Sequence, residues 1–179
     1  MCVDTNFTQM EKTDTPRGPL AFIGLASEYC AAIENAAASG REEFTALMLR
    51  LLPRIYITAS DLAAPLSLEE YEPLAPYLEA ESYEMIRSQL AALMGEDDSF
   101  LDTPAEAMRL SEEPVVRTVS ESLADIYQPL LDCAIAVRDS EGALMDQATG
   151  WARETFDEYW GQTIVDVMRP LHHLFYNRQ

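Results

Sequence analysis

Positive charge is scarce in this sequence, and lysine is almost absent. The 179 residues contain 12 Lys and Arg against 31 Asp and Glu, which gives a formal net charge of −19, and Lys12 is the single lysine. The arginines are scattered one by one along the chain and form no basic patch. Because phosphate groups repel such a chain, we expect neither nucleic acid nor an anionic membrane as its partner. A protein partner remains compatible with this charge, and the sequence leaves the oligomeric state open.

The residues that build common catalytic and metal sites are also few. Cys2, Cys30 and Cys133 lie far apart without a C-x-x-C spacing, and the only histidines, His172 and His173, are adjacent. The seven glycines occur singly, so the sequence has no glycine-rich phosphate loop. These absences argue against a disulfide framework, a zinc site, a Ser or Cys nucleophile with a histidine base, and a nucleotide loop. We therefore predict no cofactor and favour a protein that is not an enzyme.

Long apolar runs are missing as well. No stretch approaches the length of about 20 apolar residues that a membrane-spanning helix needs. Residues 1–18 are polar and lack the apolar centre of a signal peptide. We expect a flexible N-terminal segment over 1–18, one domain over 19–179, and a cytoplasmic protein.

What the sequence has in abundance is helical periodicity. In its middle, apolar residues recur at spacings that alternate between three and four. They are Val116, Val119, Leu123, Ile126, Leu130, Cys133 and Val137. This rhythm predicts one long amphipathic helix, which Ser111 would cap at its N-terminus.

The same rhythm recurs along most of the chain, and no segment shows the period-two alternation of a strand. The other predicted helices cover residues 20–39, 41–62, 81–94 and 142–169. Pro53, Pro129 and Pro170 fall within or at the end of these helices and should bend or break them. The predicted fold is therefore all-α, a single bundle of five to six helices with proline-kinked long helices and no strand.

Four carboxylates form a candidate metal site. Glu121 and Asp125 on one predicted helix, and Glu154 and Glu158 on the next, are each spaced i, i+4 and fall at a similar height in an antiparallel hairpin. Such a group could hold hard cations or act as an acid and a base. The Glu-x-x-His spacing of di-iron bundles is missing, so we favour a solvated polar face over a metal site.

An internal pocket would use a second set of residues. We consider Arg117, Tyr127, Trp160 and His172 as the lining of a site for a small polar or anionic ligand. Aromatic residues at helical spacing are more often part of a core, which is the alternative for Tyr127 and Trp160. Gly161, next to Trp160, predicts a close helix crossing.

Two segments carry a family resemblance. One runs from Phe156 to Gln162 and is followed by Arg169 and His172, and the other is SEEPVVRTVSESLADIYQ, residues 111–128. They resemble a bacterial family known as domain of unknown function 5063, and the likeness covers most of the chain from about residue 20 onward. The resemblance implies no reaction and no catalytic residues.

Two functional hypotheses remain. The first is a cytoplasmic protein-interaction or adaptor module whose acidic surface meets a partner protein. The second is a helical bundle whose internal pocket binds a small polar or anionic ligand or a metal. We favour the first, because the sequence has no activated nucleophile, metal-ligand spacing or cofactor loop.

Overall fold

The computed structural model describes residues 18–63, 74–102 and 115–177. Apart from Gly18, the predicted flexible segment 1–18 lies outside these ranges, as does Ser111, the predicted helix cap. None of the helices in the described ranges has the length and apolar character needed to cross a bilayer.

The described part of the chain forms six α-helices and one small antiparallel ribbon. The helices are α1 (Pro19–Glu34), α2 (Arg41–Ser60), α3 (Ala80–Met94), α4 (Val119–Asp139), α5 (Met145–Thr155) and α6 (Gly161–Tyr176). A π-helical turn, Phe156–Trp160, joins α5 to α6 without a break. The helices pack on one another, which confirms the predicted all-α bundle.

Helix α4 lies at the centre of the bundle and contacts α1, α3, α5 and α6. The apolar stripe of α4 is buried along its whole length, from Val119 at the first turn to Val137 near the last. Tyr29 of α1 crosses to α4 and donates a buried hydrogen bond to the carbonyl of Leu123 at 2.9 Å. Burial of this stripe drives the packing of the surrounding helices.

The prediction that the chain has no strand is wrong. Strand β1 (Ser99–Asp102) pairs antiparallel with β2 (Val115–Thr118), and Phe100 lies opposite Arg117. Val116, the first residue of the predicted stripe, belongs to β2 and is 62% exposed. The helical stripe therefore begins at Val119, one position later in the pattern.

The start of α4 is fixed by hydrogen bonds that the sequence pattern does not reveal. Thr118 caps the helix, since its Oγ1 accepts from the backbone N–H of Glu121 at 3.2 Å. Asp98 satisfies two more backbone donors, because its carboxylate accepts from Ser120 N at 2.8 Å and its carbonyl accepts from Val119 N at 2.7 Å. These acceptors satisfy free N–H groups in the first turn of α4. The helix therefore begins at Val119, and its cap is Thr118 instead of the predicted Ser111.

Three prolines lie inside helices, as predicted for Pro53 and Pro129, whereas Pro170 was predicted at a helix end. Pro53 is in α2, Pro129 in α4 and Pro170 in α6, and each helix continues on both sides of its proline. A proline has no N–H to offer the carbonyl four residues earlier. In α4 this leaves the carbonyl of Asp125 without its helical partner.

Candidate functional site

Two irregular stretches of helix border the same cleft. Pro129 interrupts the hydrogen-bond ladder of α4, and the π-helical turn Phe156–Trp160 interrupts the ladder between α5 and α6. π-helical turns are rare in proteins, and those that occur often lie at functional sites. The two stretches flank a cavity of about 270 Å³, which we name the Asp125 cleft.

The Asp125 cleft combines acidic residues with aromatic and proline walls. Its lining comes from α4, from α5 and the π-helical turn that follows it, and from the segment that precedes α3. The described lining residues are Leu74, Pro76, Asp125, Gln128, Pro129, Asp132, Trp151, Thr155, Glu158, Tyr159 and Trp160.

Asp125 is the point at which three elements meet. Tyr83 of α3 donates its hydroxyl to Asp125 Oδ1 at 2.6 Å, and Tyr159 of the π-turn donates to Oδ2 at 2.6 Å. Burial, followed by the hydrogen bond to Asp125, raises the pKa of Tyr159 to about 12 and raises the pKa of Tyr83 further. Both phenols therefore stay protonated at neutral pH and act as donors to the carboxylate.

Asp132 fixes the segment that forms the opposite wall of the cleft. Its side chain is 4% exposed, and its Oδ1 accepts from the backbone N–H of Tyr77 at 2.7 Å. Burial raises the pKa of Asp132, and hydrogen bonds from the backbone N–H groups of Tyr77 and Leu78 oppose this rise. A carboxylate at this depth keeps Leu74 and Pro76 against α4 by holding the next turn of chain.

Trp160 and Trp151 contribute to the cleft in different ways. Trp160 is fully buried, and its Nε1 donates to Thr155 Oγ1 at 3.0 Å. Trp151 is partly exposed and forms an accessible part of the wall. Both tryptophans of the chain therefore lie at this one site.

Gly161 is required by the π-turn itself. A Cβ at this position would lie 2.6 Å from the carbonyl oxygen of Phe156 and 2.9 Å from its ring. The close helix crossing predicted at Gly161 is therefore wrong, because the atoms that approach Gly161 belong to Phe156 in the same turn of chain.

The four predicted ligand-binding residues do not line one common pocket. Trp160 lines the Asp125 cleft, and Arg117 on β2 is close enough for its charge to oppose the rise of the Tyr159 pKa. Tyr127 lines a separate groove of about 640 Å³ between α1, α3 and α4, where its hydroxyl donates to Glu34 at 2.9 Å. His172 is exposed on α6, with its ring 4.8 Å from that of Tyr176.

Two of the four predicted metal ligands come together. Asp125 and Glu158 both line the cleft, whereas Glu121 and Glu154 are not part of its described lining. Within residues 18–63, 74–102 and 115–177, no three His, Cys, Asp or Glu side chains form a group that could hold a metal ion. Each carboxylate oxygen of Asp125 instead accepts a phenol hydroxyl.

Sequence reasoning missed the roles of Tyr83 and Asp132. The contact of Tyr83 with Asp125 joins residues that are 42 positions apart, and it has no sequence signal. Asp132 did offer one, because it is an acidic residue between Leu131 and Cys133 in the most apolar part of α4. A buried acid in such a run indicates a specific hydrogen-bond partner.

Comparison with known proteins places the chain in a family. The family model described as "Domain of unknown function (DUF5063)" matches residues 17–177. The fold is similar to the crystal structure of protein BF1032 from Bacteroides fragilis, with a TM-score of 0.74 and 30% sequence identity over 88% of this chain and 92% of that chain. A search of the curated proteins finds no match. The chain therefore belongs to the bacterial DUF5063 family, as its sequence resemblance indicated.

Proposed function

We propose that this protein is a non-catalytic interaction module that binds a positively charged segment of a partner protein. The Asp125 cleft would accept one cationic side chain of that segment. The observation that supports this proposal is the chemistry of the lining: each charged side chain in its described part is a carboxylate, from Asp125, Asp132 or Glu158.

A cationic side chain suits this lining better than an anion does. Aromatic faces attract cations through their ring quadrupoles, and Trp151 and Tyr159 are the accessible rings at the cleft. A guanidinium group can also form two parallel hydrogen bonds with a carboxylate such as Glu158, which is exposed at the cleft. The three carboxylates would repel a small anionic ligand, so this lining disfavours that alternative.

The charge of the whole chain favours the same class of partner. A net charge of −19 attracts basic protein segments over long range and repels nucleic acids and anionic membranes. We also propose that the protein works in the cytoplasm, where thiols stay reduced, because Cys30 and Cys133 are buried free cysteines. Burial raises the pKa of both thiols to about 12, so neither is suited to act as a nucleophile.

Intrinsic fluorescence can test the cleft directly, because both tryptophans line it. We expect an oligoarginine peptide to change the tryptophan emission in a saturable manner, and an oligoglutamate peptide of equal length to leave it unchanged. The apparent affinity should fall as salt is added, since exposed charges are screened. A saturable response to oligoglutamate, or none to oligoarginine, would contradict the proposal.

A pair of matched variants separates the cleft from the overall charge. Glu158→Gln removes one charge at the cleft and should weaken oligoarginine binding by about twofold to fivefold, the upper part of the range for one exposed ion pair. Glu43→Gln removes one exposed charge in the first turn of α2 and should change the affinity by less than about twofold. Both affinities are measured by fluorescence titration. Equal losses in the two variants would mean that the peptide responds to net charge alone.

A further inference from the structure

Another cavity lies between α1 and α2, and its character differs from that of the Asp125 cleft. It has a volume of about 390 Å³ and is lined by Ala21, Gly24, Leu25 and Glu28 of α1 and by Arg54, Ile57 and Thr58 of α2. We name it the α1–α2 groove. Ile57 is 55% exposed at the groove. Leu20, which precedes the lining residue Ala21 in α1, is 77% exposed. Two large apolar side chains thus face solvent beside an apolar depression.

Gly24 gives this groove an open floor. It lies inside α1, where glycine is less favourable than every residue except proline. A Cβ at Gly24 would have no neighbouring atom within 4 Å, so packing within the described chain does not require glycine here. The missing side chain instead leaves the helix backbone open to close approach by another surface.

The groove is locally neutral on a strongly acidic protein. Its charged residues are one acid, Glu28, and one base, Arg54, whereas the whole chain carries a net charge of −19. Their side chains are 48% and 56% exposed, and Arg54 Nη1 is 3.5 Å from Glu28 Oε2. This long contact leaves both groups able to pair with an opposite charge on another molecule. Two copies of the chain would repel each other less at this surface than at an acidic one.

We propose that the α1–α2 groove is the interface of a symmetric homodimer. Ile57 of each copy would fill the groove of the other copy beside Gly24, and Arg54 of each copy would pair with Glu28 of the other. In an interface with two-fold symmetry the same patch serves both partners, so the patch must be self-complementary. A surface that offers an apolar projection, an apolar depression, one acid and one base satisfies this requirement.

A charge-swap experiment with the full-length protein tests the dimer. Glu28→Arg alone would place arginine against arginine at both symmetric contacts, and Arg54→Glu alone would place glutamate against glutamate. We expect each single variant to lower the association constant of the dimer by about tenfold or more, because like charges in contact are strongly disfavoured. An equimolar mixture of the two variants should associate again, since each contact then joins one base and one acid.

Sedimentation velocity over a range of protein concentrations measures each of these states. The mixture is decisive, because it repairs the contacts between copies while the contact within each copy remains like-charged. The double variant Glu28→Arg/Arg54→Glu should also dimerise, and it keeps the test valid if a single variant folds poorly. A wild-type protein that stays monomeric up to about 1 mM, or a mixture that fails to associate, would overturn the proposal.

Two variants that each replace an exposed apolar residue by glutamate provide the control. Ile57→Glu and Val165→Glu each add one negative charge at an exposed β-branched residue, and these residues are 55% and 50% exposed. Only Ile57 lies at the groove, so Ile57→Glu should abolish the dimer and Val165→Glu should retain it. If both variants stay dimeric, this face is not the interface. Neither substitution alters the Asp125 cleft, so the dimer and the cleft proposals can fail independently.

Discussion

Replacing Trp160 by alanine is expected to lower the free energy of unfolding by about 3–5 kcal/mol, the usual cost of removing a large aromatic side chain from a core. The Trp160 side chain is 0% exposed. Its ring lies 4.8 Å from that of Phe156 and 6.3 Å from that of Phe22, measured between centroids. The substitution would leave a cavity beneath the Asp125 cleft and remove the hydrogen bond from Nε1 to Thr155. Because small domains are stable by only about 5–15 kcal/mol, much of the stability would be lost.

Trp151 provides the matched control for this prediction. It is the other tryptophan of the chain, it lies nine positions earlier in sequence, and it is partly exposed. Trp151→Ala should lower the free energy of unfolding by only about 1 kcal/mol, while weakening the binding of an oligoarginine peptide. Urea unfolding followed by far-ultraviolet circular dichroism measures both variants. Equal losses of stability would mean that Trp160 does not have the buried position described above.

Much of the fold could be predicted from the sequence because burial in helices is periodic. The stripe from Val119 to Val137 is buried as the spacing predicts, and the family resemblance agrees with the matched range 17–177. The start of α4 could not be predicted in the same way. Val116 fits the spacing, but a β-ribbon and the acceptors of Asp98 and Thr118 decide the conformation there. These are tertiary contacts, and they override a local pattern.

The candidate site was predictable only in part, for a similar reason. Aligning the two central helices as a hairpin predicted that Asp125 and Glu158 lie near each other, and both line the cleft. The π-turn could not be predicted, because a change of one residue in hydrogen-bond spacing has no signature in composition or periodicity. That turn and Tyr83, which comes from α3, give Asp125 its two phenol donors. Sequence spacing within two helices does not contain this information.

Replacing Asp132 should cause the second large loss of stability. Asp132→Ala should lower the free energy of unfolding by about 1–3 kcal/mol, because the backbone N–H groups of Tyr77 and Leu78 lose the acceptor that this buried side chain provides. Asp132→Asn keeps a carbonyl acceptor and removes the charge, so its loss at neutral pH should be clearly smaller. The wall of the cleft formed by Leu74 and Pro76 should loosen in the alanine variant and stay in place in the asparagine variant.

The pH dependence of these variants distinguishes a buried charge from a simple packing contact. Burial raises the pKa of Asp132 from 3.8, so between that value and the raised value the folded protein binds more protons than the unfolded chain. The stability contributed by this group is therefore fully present below the unfolded pKa and is lost as the pH rises through the folded pKa. Relative to Asp132→Asn, which has no such group, the wild type should become more stable as the pH is lowered across this window. The measurement is urea unfolding of both proteins at a series of pH values. A difference between them that stays constant with pH would mean that the Asp132 carboxyl is as well solvated in the folded protein as in the unfolded chain.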